Sequence, residues 1–391
     1  MGNARTKGIN MYVKVASPFI GDEEINGVAD VLRSGRYMSG PRVEEFEKKF
    51  ADYIGVEHAV AVSNGTFAIQ AALAAMNLQP GDEIIVPALT FFSTATAVIH
   101  QGGVPVFADI TFDNFSLDAS DLQRAITPRT KGIIPVHYFG HSADMDPINK
   151  FAKENNLYVI EDCAQSHGTK YNGKVAGSLG DMGAFSFFAT KQMTTGEGGI
   201  ITLNDPDKAE FIRSFRSHGM TGRHDHGILG YNGRMTEISA AIGLAQLERL
   251  DGLNKRRISA THEIMERIAD VPWLTIPQVP QHVKHTYFWL HILIDEEKLG
   301  MSTAELIPYL REKGIETRNR YVEPLYKQPI LSGEGISPLL KLFAGDNLPD
   351  YANMNLPNVE KIAGSVIGLP NRPDMSQEEI DYVVQVIKEI A

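Results

Sequence analysis

Short apolar runs alternate with helical segments through the first half of the chain. Residues 58–62 form an apolar run that leads straight into an alanine-rich helical pattern, and residues 82–110 give strand, loop, helix and strand in turn. The same alternation continues through residues 131–168. Strands that alternate with helices pair into a parallel sheet with helices packed on its faces. The sequence therefore predicts an α/β fold with a mainly parallel central sheet sandwiched by helices.

The pattern changes in the last third of the chain. Residues 285–294, HTYFWLHILI, alternate aromatic and apolar side chains as a sheet strand does, and residues 304–314 have helical periodicity. We predict two domains on this basis. A large domain over residues 1–250 begins with an N-terminal helical segment and carries the ligand site, and a smaller α+β C-terminal domain covers residues 251–391.

The charge and cysteine content exclude several classes of protein. The formal net charge is −11 and no run of lysines and arginines is dense, so neither a nucleic acid nor a membrane surface is an expected partner. Cys163 is the one cysteine, which excludes an intrachain disulfide. The sequence has no apolar signal segment or long apolar span, so the expected compartment is the cytoplasm. Small-molecule chemistry is the remaining expectation.

Residues 185–199, FSFFATKQMTTGEGG, place a lysine between an apolar run and a glycine-rich turn. The apolar run before Lys191 predicts a buried strand, and the glycines predict a turn into a second strand. Burial disfavours the charged form of a lysine, and a neutral amine forms a Schiff base with an aldehyde. Although most lysines are solvated surface charges, we interpret Lys191 as a covalent anchor for an aldehyde cofactor.

The residues between the first strand and the alanine-rich helix form a candidate anion site. Ser63, Asn64, Gly65 and Thr66 come directly before the helix. Free backbone N–H groups at a helix start, the positive end of the helix dipole and the Thr66 hydroxyl can all bind a phosphate. An ordinary capped helix explains the same residues, so both interpretations stay open at this point.

An acid pair and an aromatic residue follow two further strands. Glu161 and Asp162 close an apolar strand, where a carboxylate needs a cationic or hydrogen-bonding partner. Because adjacent strand residues point to opposite faces, we expect only one of the two to face a ligand; Asp162 shares its face with Ile160 and Ala164. Phe91 comes where another strand ends, and ligands of such sheets gather at the carboxyl ends of strands. Phe91 therefore either stacks on a planar ring or belongs to the core.

Two loops carry charged residues that suggest a binding role. His224, Asp225 and His226 are residue types that bind metals, but no further ligand cluster accompanies them, so no metal site is predicted. Arg318 and Arg320 lie in the loop ETRNRYVEPLY. They either contact an anionic substrate or form a solvated basic surface.

The phosphate turn, the strand-end aromatic residue, the strand-end aspartate and the lysine come in the order of fold type I pyridoxal-phosphate enzymes. The motifs SNGT, PALTFFSTATAV, IEDCAQSHG, FSFFATKQMTTGEGG and GYNGRMTEISAAIGLAQL resemble the DegT/StrS-type sugar aminotransferases over nearly the whole chain. The resemblance implies an aspartate-aminotransferase-like fold and pyridoxal 5'-phosphate as cofactor. It also implies a homodimer with shared active sites, which moves an amino group from L-glutamate to a keto sugar linked to a nucleotide.

The resemblance further implies a role for each matching residue. Lys191 anchors the cofactor and carries a proton to the substrate carbon, while Asp162 keeps the pyridine nitrogen protonated. Gln165 contacts the phenolic oxygen of the cofactor, and Phe91 stacks on its ring. The implied phosphate contacts are Gly65, Thr66, Ser186 and, reaching across from the second subunit, Asn232. The candidate substrate contacts are Tyr37, which could also line a subunit contact, Arg318, Arg320 and Tyr321.

The loop GIETRNRYVEPLY is similar to the sugar-binding loop of the perosamine-synthase branch. Tyr326 stands where family members more commonly have histidine, and the stretch after Pro329 is longer, which predicts a partly structured insertion at 331–355. A GDP-linked 4-keto-6-deoxy sugar is the first expectation for the substrate and a UDP-linked keto amino sugar the second. Because the anchor lysine is retained, transamination is favoured over sugar dehydration. The residues also allow an aminocyclitol aminotransferase or a non-catalytic regulatory protein.

Overall fold

A computed structural model describes residues 11–319 and 321–390. Among them the α-helices are, in chain order, Asp22–Ser34 (α1), Pro41–Ile54 (α2), Gly65–Ala75 (α3), Ser93–His100 (α4), Leu122–Ala125 (α5), Met145–Glu154 (α6), Pro206–Phe215 (α7), Glu237–Ile268 (α8), Glu296–Leu299 (α9), Thr303–Glu312 (α10), Pro338–Ala344 (α11), Pro357–Ile362 (α12) and Gln377–Glu389 (α13). The strands are His58–Val62 (β1), Glu83–Pro87 (β2), Val104–Ala108 (β3), Thr130–Ile133 (β4), Tyr158–Asp162 (β5), Lys170–Tyr171 (β6), Lys174–Val175 (β7), Met182–Ser186 (β8), Gly199–Leu203 (β9), Met220–Gly222 (β10), Asp225–His226 (β11), Leu274–Thr275 (β12), Val283–Lys284 (β13), Leu290–Ile294 (β14) and Val366–Leu369 (β15).

The central sheet has the strand order β1-β9-β8-β5-β4-β2-β3. Strands β8, β5, β4, β2 and β3 pair in parallel, and β9 runs antiparallel to both of its neighbours, β1 and β8. Strand β1 therefore points the same way as the parallel strands. The predicted α/β fold with a mainly parallel sheet is confirmed, and all strands except β9 end at the same edge.

Apolar side chains on β1 alternate between two cores. Val60 and Val62 pack in the core that contains Phe67 of α3, whereas Ala59 and Ala61 pack in the core that contains Phe46 of α2. Small residues on one face of the strand admit the bulky aromatic rings of α2. The sheet is thus covered by helices on both faces, as the alternation of strands and helices predicts.

Glycine ends the two N-terminal helices. Gly35 follows α1 with a φ of 70°, and Gly55 follows α2 with a φ of 85°. A left-handed residue at this position satisfies a carbonyl group at the helix end, and glycine adopts it without steric cost. Helix α2 also begins with Pro41, which needs no N–H partner there.

Helix α8 runs without interruption through residue 250, where the sequence predicts the boundary between two domains. Its C-terminal residues Ile264 and Ile268 belong to a separate apolar core with Trp273 and the antiparallel sheet β12-β14-β15. Val13, near the start of the described chain, joins that core. The exact division into domains remains a prediction.

The segment after Pro329 covers one edge of the central sheet. Leu340 of α11 and Tyr351 pack in the same core as Phe107 of β3. The Tyr351 hydroxyl donates a hydrogen bond of 2.7 Å to the Pro105 carbonyl on β3. Because β3 is the edge strand, this segment shields backbone groups that would otherwise be open to another strand. The predicted insertion is thus packed against the large sheet over much of its length.

Candidate active site

A cavity of about 620 Å³ opens at the carboxyl edge of the central sheet. Its walls come from the loops that follow β1, β2, β5 and β8, together with residues that precede β14. Cavities of this size hold small-molecule ligands. Eight of the residues predicted from the sequence line the cavity together, namely Gly65, Thr66, Phe91, Asp162, Gln165, Ser186, Lys191 and Tyr321.

One end of the cavity is formed by the start of α3. The Asn64 side chain caps the helix by accepting a hydrogen bond of 2.9 Å from the Phe67 N–H, and the Asn64 carbonyl accepts from Ala68. Helix geometry gives the N–H groups of Gly65 and Thr66 no acceptor inside the helix. A Cβ added to Gly65 would lie 2.6 Å from the Ser186 Cβ, so glycine is required for this close approach to β8. The capped helix and the anion site are therefore compatible interpretations.

Asp162 ends β5 and faces into the cavity. Its Oδ2 accepts a hydrogen bond of 2.9 Å from Thr94 Oγ1, and its Oδ1 accepts one of 3.1 Å from the Ala164 N–H. Burial raises the pKa of this carboxyl, while the two hydrogen bonds and the charge of Lys191 oppose the rise. A cationic group in the cavity would compensate for the lost water around the carboxylate.

Glu161 points to the opposite face of β5 and makes a different set of contacts. It accepts hydrogen bonds from the backbone N–H groups of Gly177, Leu179 and Gly180 at 2.7 to 2.8 Å. His137 Nε2 lies 2.7 Å from Glu161 Oε2. Because these donors occupy both of its oxygens, Glu161 supports the loop before β8 and takes no part in the cavity.

Lys191 lies on the turn between β8 and β9, half-buried at the cavity wall. Its backbone N–H donates to the Phe188 carbonyl at 2.9 Å, which closes the turn. Its Nζ is 4.8 Å from the centre of the Phe288 ring. The amine therefore projects into the cavity with an aromatic face on one side.

Gln165 and Tyr321 are joined across the cavity wall. Gln165 Oε1 accepts a hydrogen bond of 3.0 Å from the Phe139 N–H, and its Nε2 donates to the Tyr321 hydroxyl at 3.2 Å. Phe91 is 56% exposed, so it lies at the mouth of the cavity and outside the core. Its exposed ring is open to contact with a ligand.

The structure does not bring every predicted residue into this cavity. Tyr37 is exposed and its hydroxyl lies 3.3 Å from the Leu32 carbonyl. Asn232 is exposed and does not line the cavity of its own chain. Arg318 forms an ion pair of 2.8 Å with Glu316 and lies behind the cavity wall. Arg320 lies outside the described residues.

Tyr326 is buried away from the cavity. Its hydroxyl donates a hydrogen bond of 2.6 Å to Glu360 Oε1 and accepts one of 3.3 Å from the Leu356 N–H. Its ring packs against Phe107 of β3. Within this chain the residue therefore supports the packing of the segment after Pro329.

Sequence reasoning missed several residues of the site, and three of them bear on its chemistry. Phe288 and Trp289 line the cavity with rings stacked 4.5 Å apart, and Thr94 binds Asp162. The two aromatic residues fall in the predicted strand because alternating aromatic side chains favour strands, yet β14 begins only at Leu290. Thr94 carried a usable signal, since it lies in the first turn of a helix that follows a strand end.

One group of potential metal ligands lies together among the described residues, namely His137, Glu161 and Cys163. His137 Nδ1 accepts a hydrogen bond from the Ala143 N–H, so its Nε2 carries the proton that it donates to Glu161. Burial raises the pKa of the Cys163 thiol, which keeps it neutral. His137 and Glu161 are therefore joined by a hydrogen bond, beside the neutral Cys163 thiol. The histidines of residues 224–226 are exposed on the hairpin of β10 and β11.

The cavity offers a group for each reactive part of pyridoxal phosphate. The N–H groups at the start of α3, with the Thr66 and Ser186 hydroxyls, fit a phosphate. Asp162 is a buried carboxylate suited to a protonated ring nitrogen, and Lys191 is an amine suited to an aldehyde. The missing Cβ at Gly65 keeps the phosphate end of the cavity closely packed. The residues present therefore fit this cofactor.

Comparison with known proteins agrees with this geometry. The family model of the DegT/DnrJ/EryC1/StrS aminotransferase family matches residues 18–388. The GDP-perosamine synthase of Caulobacter vibrioides is 40% identical over 364 residues, which cover 90% of this chain and 97% of that protein. The spore coat polysaccharide biosynthesis protein SpsC of Bacillus subtilis is 36% identical over 97% of each chain. The crystal structure of DesV from S. venezuelae superposes with a TM-score of 0.85 at 32% identity, over 96% of this chain and 98% of that one.

Proposed function

The chain belongs to the DegT/DnrJ/EryC1/StrS aminotransferase family, and we propose that it uses pyridoxal phosphate to move an amino group from L-glutamate to a keto sugar linked to a nucleotide. One observation carries the proposal. Lys191, Asp162 and the N-terminus of α3 line a single cavity at the carboxyl edge of the sheet. An amine, a buried carboxylate and an anion site are the groups that this cofactor needs.

Pyridoxal phosphate, when bound, supplies an electron-accepting ring that stabilises negative charge on the carbon from which a proton is removed. The chain supplies the remaining groups. Lys191 Nζ would hold the cofactor covalently and, once released from it, would move the proton at the substrate carbon. The Asp162 carboxylate holds a proton on the ring nitrogen, since Thr94 and Ala164 keep the carboxylate oriented toward the cavity.

The remaining residues of the cavity orient the bound groups. Gly65, Thr66 and Ser186, which line the cavity, would hold the phosphate end, and Gln165 would contact the phenolic oxygen of the ring. Phe91, exposed at the mouth of the cavity, would cover the ring and limit the access of water. Tyr321, hydrogen-bonded to Gln165, is the proposed substrate contact.

The substrate class rests on the relatives. The protein from Caulobacter vibrioides is a GDP-perosamine synthase, and that from Bacillus subtilis acts in spore coat polysaccharide biosynthesis. We infer a GDP-linked 4-keto-6-deoxy sugar as the first candidate substrate and a UDP-linked keto amino sugar as the second. The product would serve the synthesis of a cell-surface polysaccharide, a glycan or an antibiotic sugar.

The cofactor assignment is tested by absorbance spectroscopy of the purified protein. We expect pyridoxal phosphate to give the absorbance of a lysine-bound cofactor, and Lys191→Ala to abolish it. L-Glutamate should then convert the cofactor to its amino form. A spectrum that Lys191→Ala leaves unchanged would refute the anchor, and no conversion with any amino donor would favour the dehydratase or the regulatory protein.

The substrate is identified with the amino form of the loaded protein. Each of a panel of GDP-linked and UDP-linked keto sugars is added, and the sugar that restores the original absorbance is the acceptor. The reaction product is then identified by mass spectrometry. Restoration by an aminocyclitol precursor but by none of the nucleotide sugars would overturn the proposed substrate class.

A homodimer with shared sites is part of the proposal, because Asn232 is exposed outside its own cavity and is expected to reach the phosphate of a second copy. Mixing inactive Lys191→Ala chains with inactive Asn232→Ala chains should restore activity. Each hybrid dimer then has one site with both residues intact. If the two variants are inactive alone and the mixture stays inactive after subunit exchange, the shared site is wrong.

A further inference from the structure

The side chain of Gln192, the residue after Lys191, is buried behind the cavity and joins three segments of its wall. It is 3% exposed. Its Oε1 accepts a hydrogen bond of 3.0 Å from His167 Nδ1. Its Nε2 donates to the Gln165 carbonyl and, at 3.2 Å, to Thr286 Oγ1. One amide therefore connects the turn of Lys191 to two segments that are distant in the sequence.

The hydrogen bonds beyond Gln192 fix the direction of this amide. Thr169 Oγ1 donates to the Gly140 carbonyl at 2.7 Å, so its second contact, with Thr286 Oγ1 at 2.9 Å, is as an acceptor. Thr286 donates its one hydroxyl proton in that contact and can only accept from Gln192. The chain of donors thus runs from Gln192 through Thr286 and Thr169 to Gly140, and all of these residues are buried.

The partners of Gln192 each adjoin a residue that lines the cavity. The Gln165 side chain lines the cavity itself and is hydrogen-bonded to Tyr321. Phe288 follows Thr286 by two residues, and the centre of its ring lies 4.8 Å from Lys191 Nζ. Gln192 is bonded to Lys191 through the backbone. Its amide therefore sets the positions of the amine, the Gln165 amide and the aromatic wall relative to one another.

We propose that Gln192 is a positioning residue of the aminotransferase reaction, which acts by holding Lys191 and Gln165 at a constant separation across the cavity wall. The inference rests on the proposed function, because it assumes that Lys191 is the reacting amine. A displacement of about 1 Å in a reacting group can lower a rate about 100-fold. Loosening this amide is therefore expected to change the chemical step more than substrate binding.

Two substitutions distinguish the effect of the Gln192 hydrogen bonds from the effect of the space that its side chain fills. Gln192→Met keeps the length of the side chain and removes its hydrogen bonds, and Gln192→Glu keeps the acceptor for His167 but removes both N–H donors. We expect either variant to lower kcat by about 10- to 100-fold with little change in KM for the sugar. We also expect a shift in the pH midpoint at which the absorbance of the lysine-bound cofactor changes.

Gln246, on α8, offers a matched control that contacts the same turn. It is 2% exposed, and its Oε1 accepts a hydrogen bond of 3.3 Å from the Thr194 N–H. Its Nε2 donates to the Phe19 carbonyl at 2.8 Å and to Glu24 Oε1 at 2.7 Å, away from the cavity. Gln246→Met should lower Tm about as much as Gln192→Met, and it should leave kcat and the pH midpoint unchanged.

A Gln192→Met protein that loses stability like the control but keeps kcat and the pH midpoint would reduce Gln192 to a structural residue and overturn the inference. If Gln192→Met does not fold, Thr286→Val breaks the same chain of donors without a change in shape. An unshifted midpoint in Thr286→Val would also overturn it. Absence of a lysine-bound cofactor in the unsubstituted protein would refute the proposed function and this inference together.

Discussion

At the scale of single residues, two adjacent carboxylates on β5 differ in what surrounds them. Asp162 has two hydrogen bonds and faces the cavity, whereas Glu161 has four donors on the opposite face. Opposite faces of one strand thus separate a group held for a ligand from a group held for the fold. Substitution of each carboxylate should reveal this division.

Asp162→Asn should lower kcat by about 100- to 1000-fold, because the ring nitrogen would lose the charge that keeps it protonated. The same variant should not destabilise the protein without cofactor at pH 7. Burial raises the pKa of Asp162, so its ionised form costs folding stability at pH values above its usual range. Steady-state kinetics and thermal unfolding of the cofactor-free variant check both parts. A lower Tm for cofactor-free Asp162→Asn than for the cofactor-free unsubstituted protein would show that the carboxylate is needed for the fold.

Glu161→Ala should destabilise the protein by about 3 to 5 kcal/mol, since it leaves buried His137, one buried N–H group and two partly buried N–H groups without their acceptor. Urea-induced unfolding measures the loss of free energy. Exposed Glu248 is a control, because its ion pair with Lys49 at the surface is worth little. A small loss for Glu161→Ala, like that of Glu248→Ala, would mean that these donors find other acceptors.

At the scale of elements, the start of α3 depends on the absence of a side chain at Gly65. In Gly65→Ala the new Cβ, placed 2.6 Å from the Ser186 Cβ, must push the helix away from β8. We expect the affinity for pyridoxal phosphate to fall by at least about tenfold, equivalent to about 1.4 kcal/mol. A fluorescence titration of the cofactor-free protein measures the dissociation constant.

Gly252 in α8 is the control for this substitution, because a Cβ there meets nothing within 4 Å. Gly252→Ala should raise stability by up to about 1 kcal/mol through helix propensity, and it should leave the cofactor affinity unchanged. Equal affinities in the two variants would show that the close approach of α3 to β8 is not what holds the phosphate.

The segment that covers edge strand β3 is predicted to stabilise the fold without a part in the chemistry. Tyr351→Phe removes the donor to the buried Pro105 carbonyl and should cost about 1 to 3 kcal/mol, with kcat unchanged. Chemical denaturation and steady-state kinetics measure the two quantities. Leu342→Gln, at an exposed position on α11, should change neither. A fall in kcat for Tyr351→Phe would connect this segment to the active site.

At the scale of the whole molecule, buried neutral histidines make the fold sensitive to acid. Burial lowers the pKa of His141 to about 4 and that of His167 to about 3, and it lowers the pKa of His291 well below the ordinary value of 6.5. Unfolded chains bind protons at these histidines near pH 6.5, and the folded chain does not. Stability should therefore fall as the pH is lowered from 6.5 toward 4, by up to about 1.4 kcal/mol per pH unit for each histidine.

The variation of Tm between pH 7 and pH 5 measures this effect. His141→Asn keeps a donor for the Ser142 carbonyl but cannot take up a proton, so its Tm should vary less with pH. His224→Asn is the control, because His224 is exposed with a φ of 72° that asparagine tolerates. A His141→Asn protein with the same dependence as the control would place the acid sensitivity elsewhere.

No helix in the described ranges, 11–319 and 321–390, is long and apolar enough to span a membrane. Two exposed apolar residues, Leu229 and Tyr231, lie on the segment beside β11, near Asn232. Such a surface is compatible with the proposed contact between two copies of the chain.

Much of the fold follows from local sequence signals. Strand β1 and helix α3 were predictable from an apolar run followed by Asn64, because a capping side chain and a period of 3.6 residues act over a few neighbours. The lysine turn and the aspartate at the end of β5 were predictable for the same reason. Phe288 and Trp289 were not, since whether an aromatic residue extends a strand or lines a cavity depends on distant packing.

By itself, the sequence determined the order of strands and helices, the family, and the candidate residues Lys191 and Asp162, because motifs and periodicity are properties of neighbouring residues. Only the tertiary structure decided which side chains meet. Gln165 donates to the Tyr321 hydroxyl from 156 residues away, and Gln192 reaches Thr286 from 94 residues away. Such contacts are set by how packed elements bring distant backbone segments within hydrogen-bonding distance, and no local pattern encodes that distance.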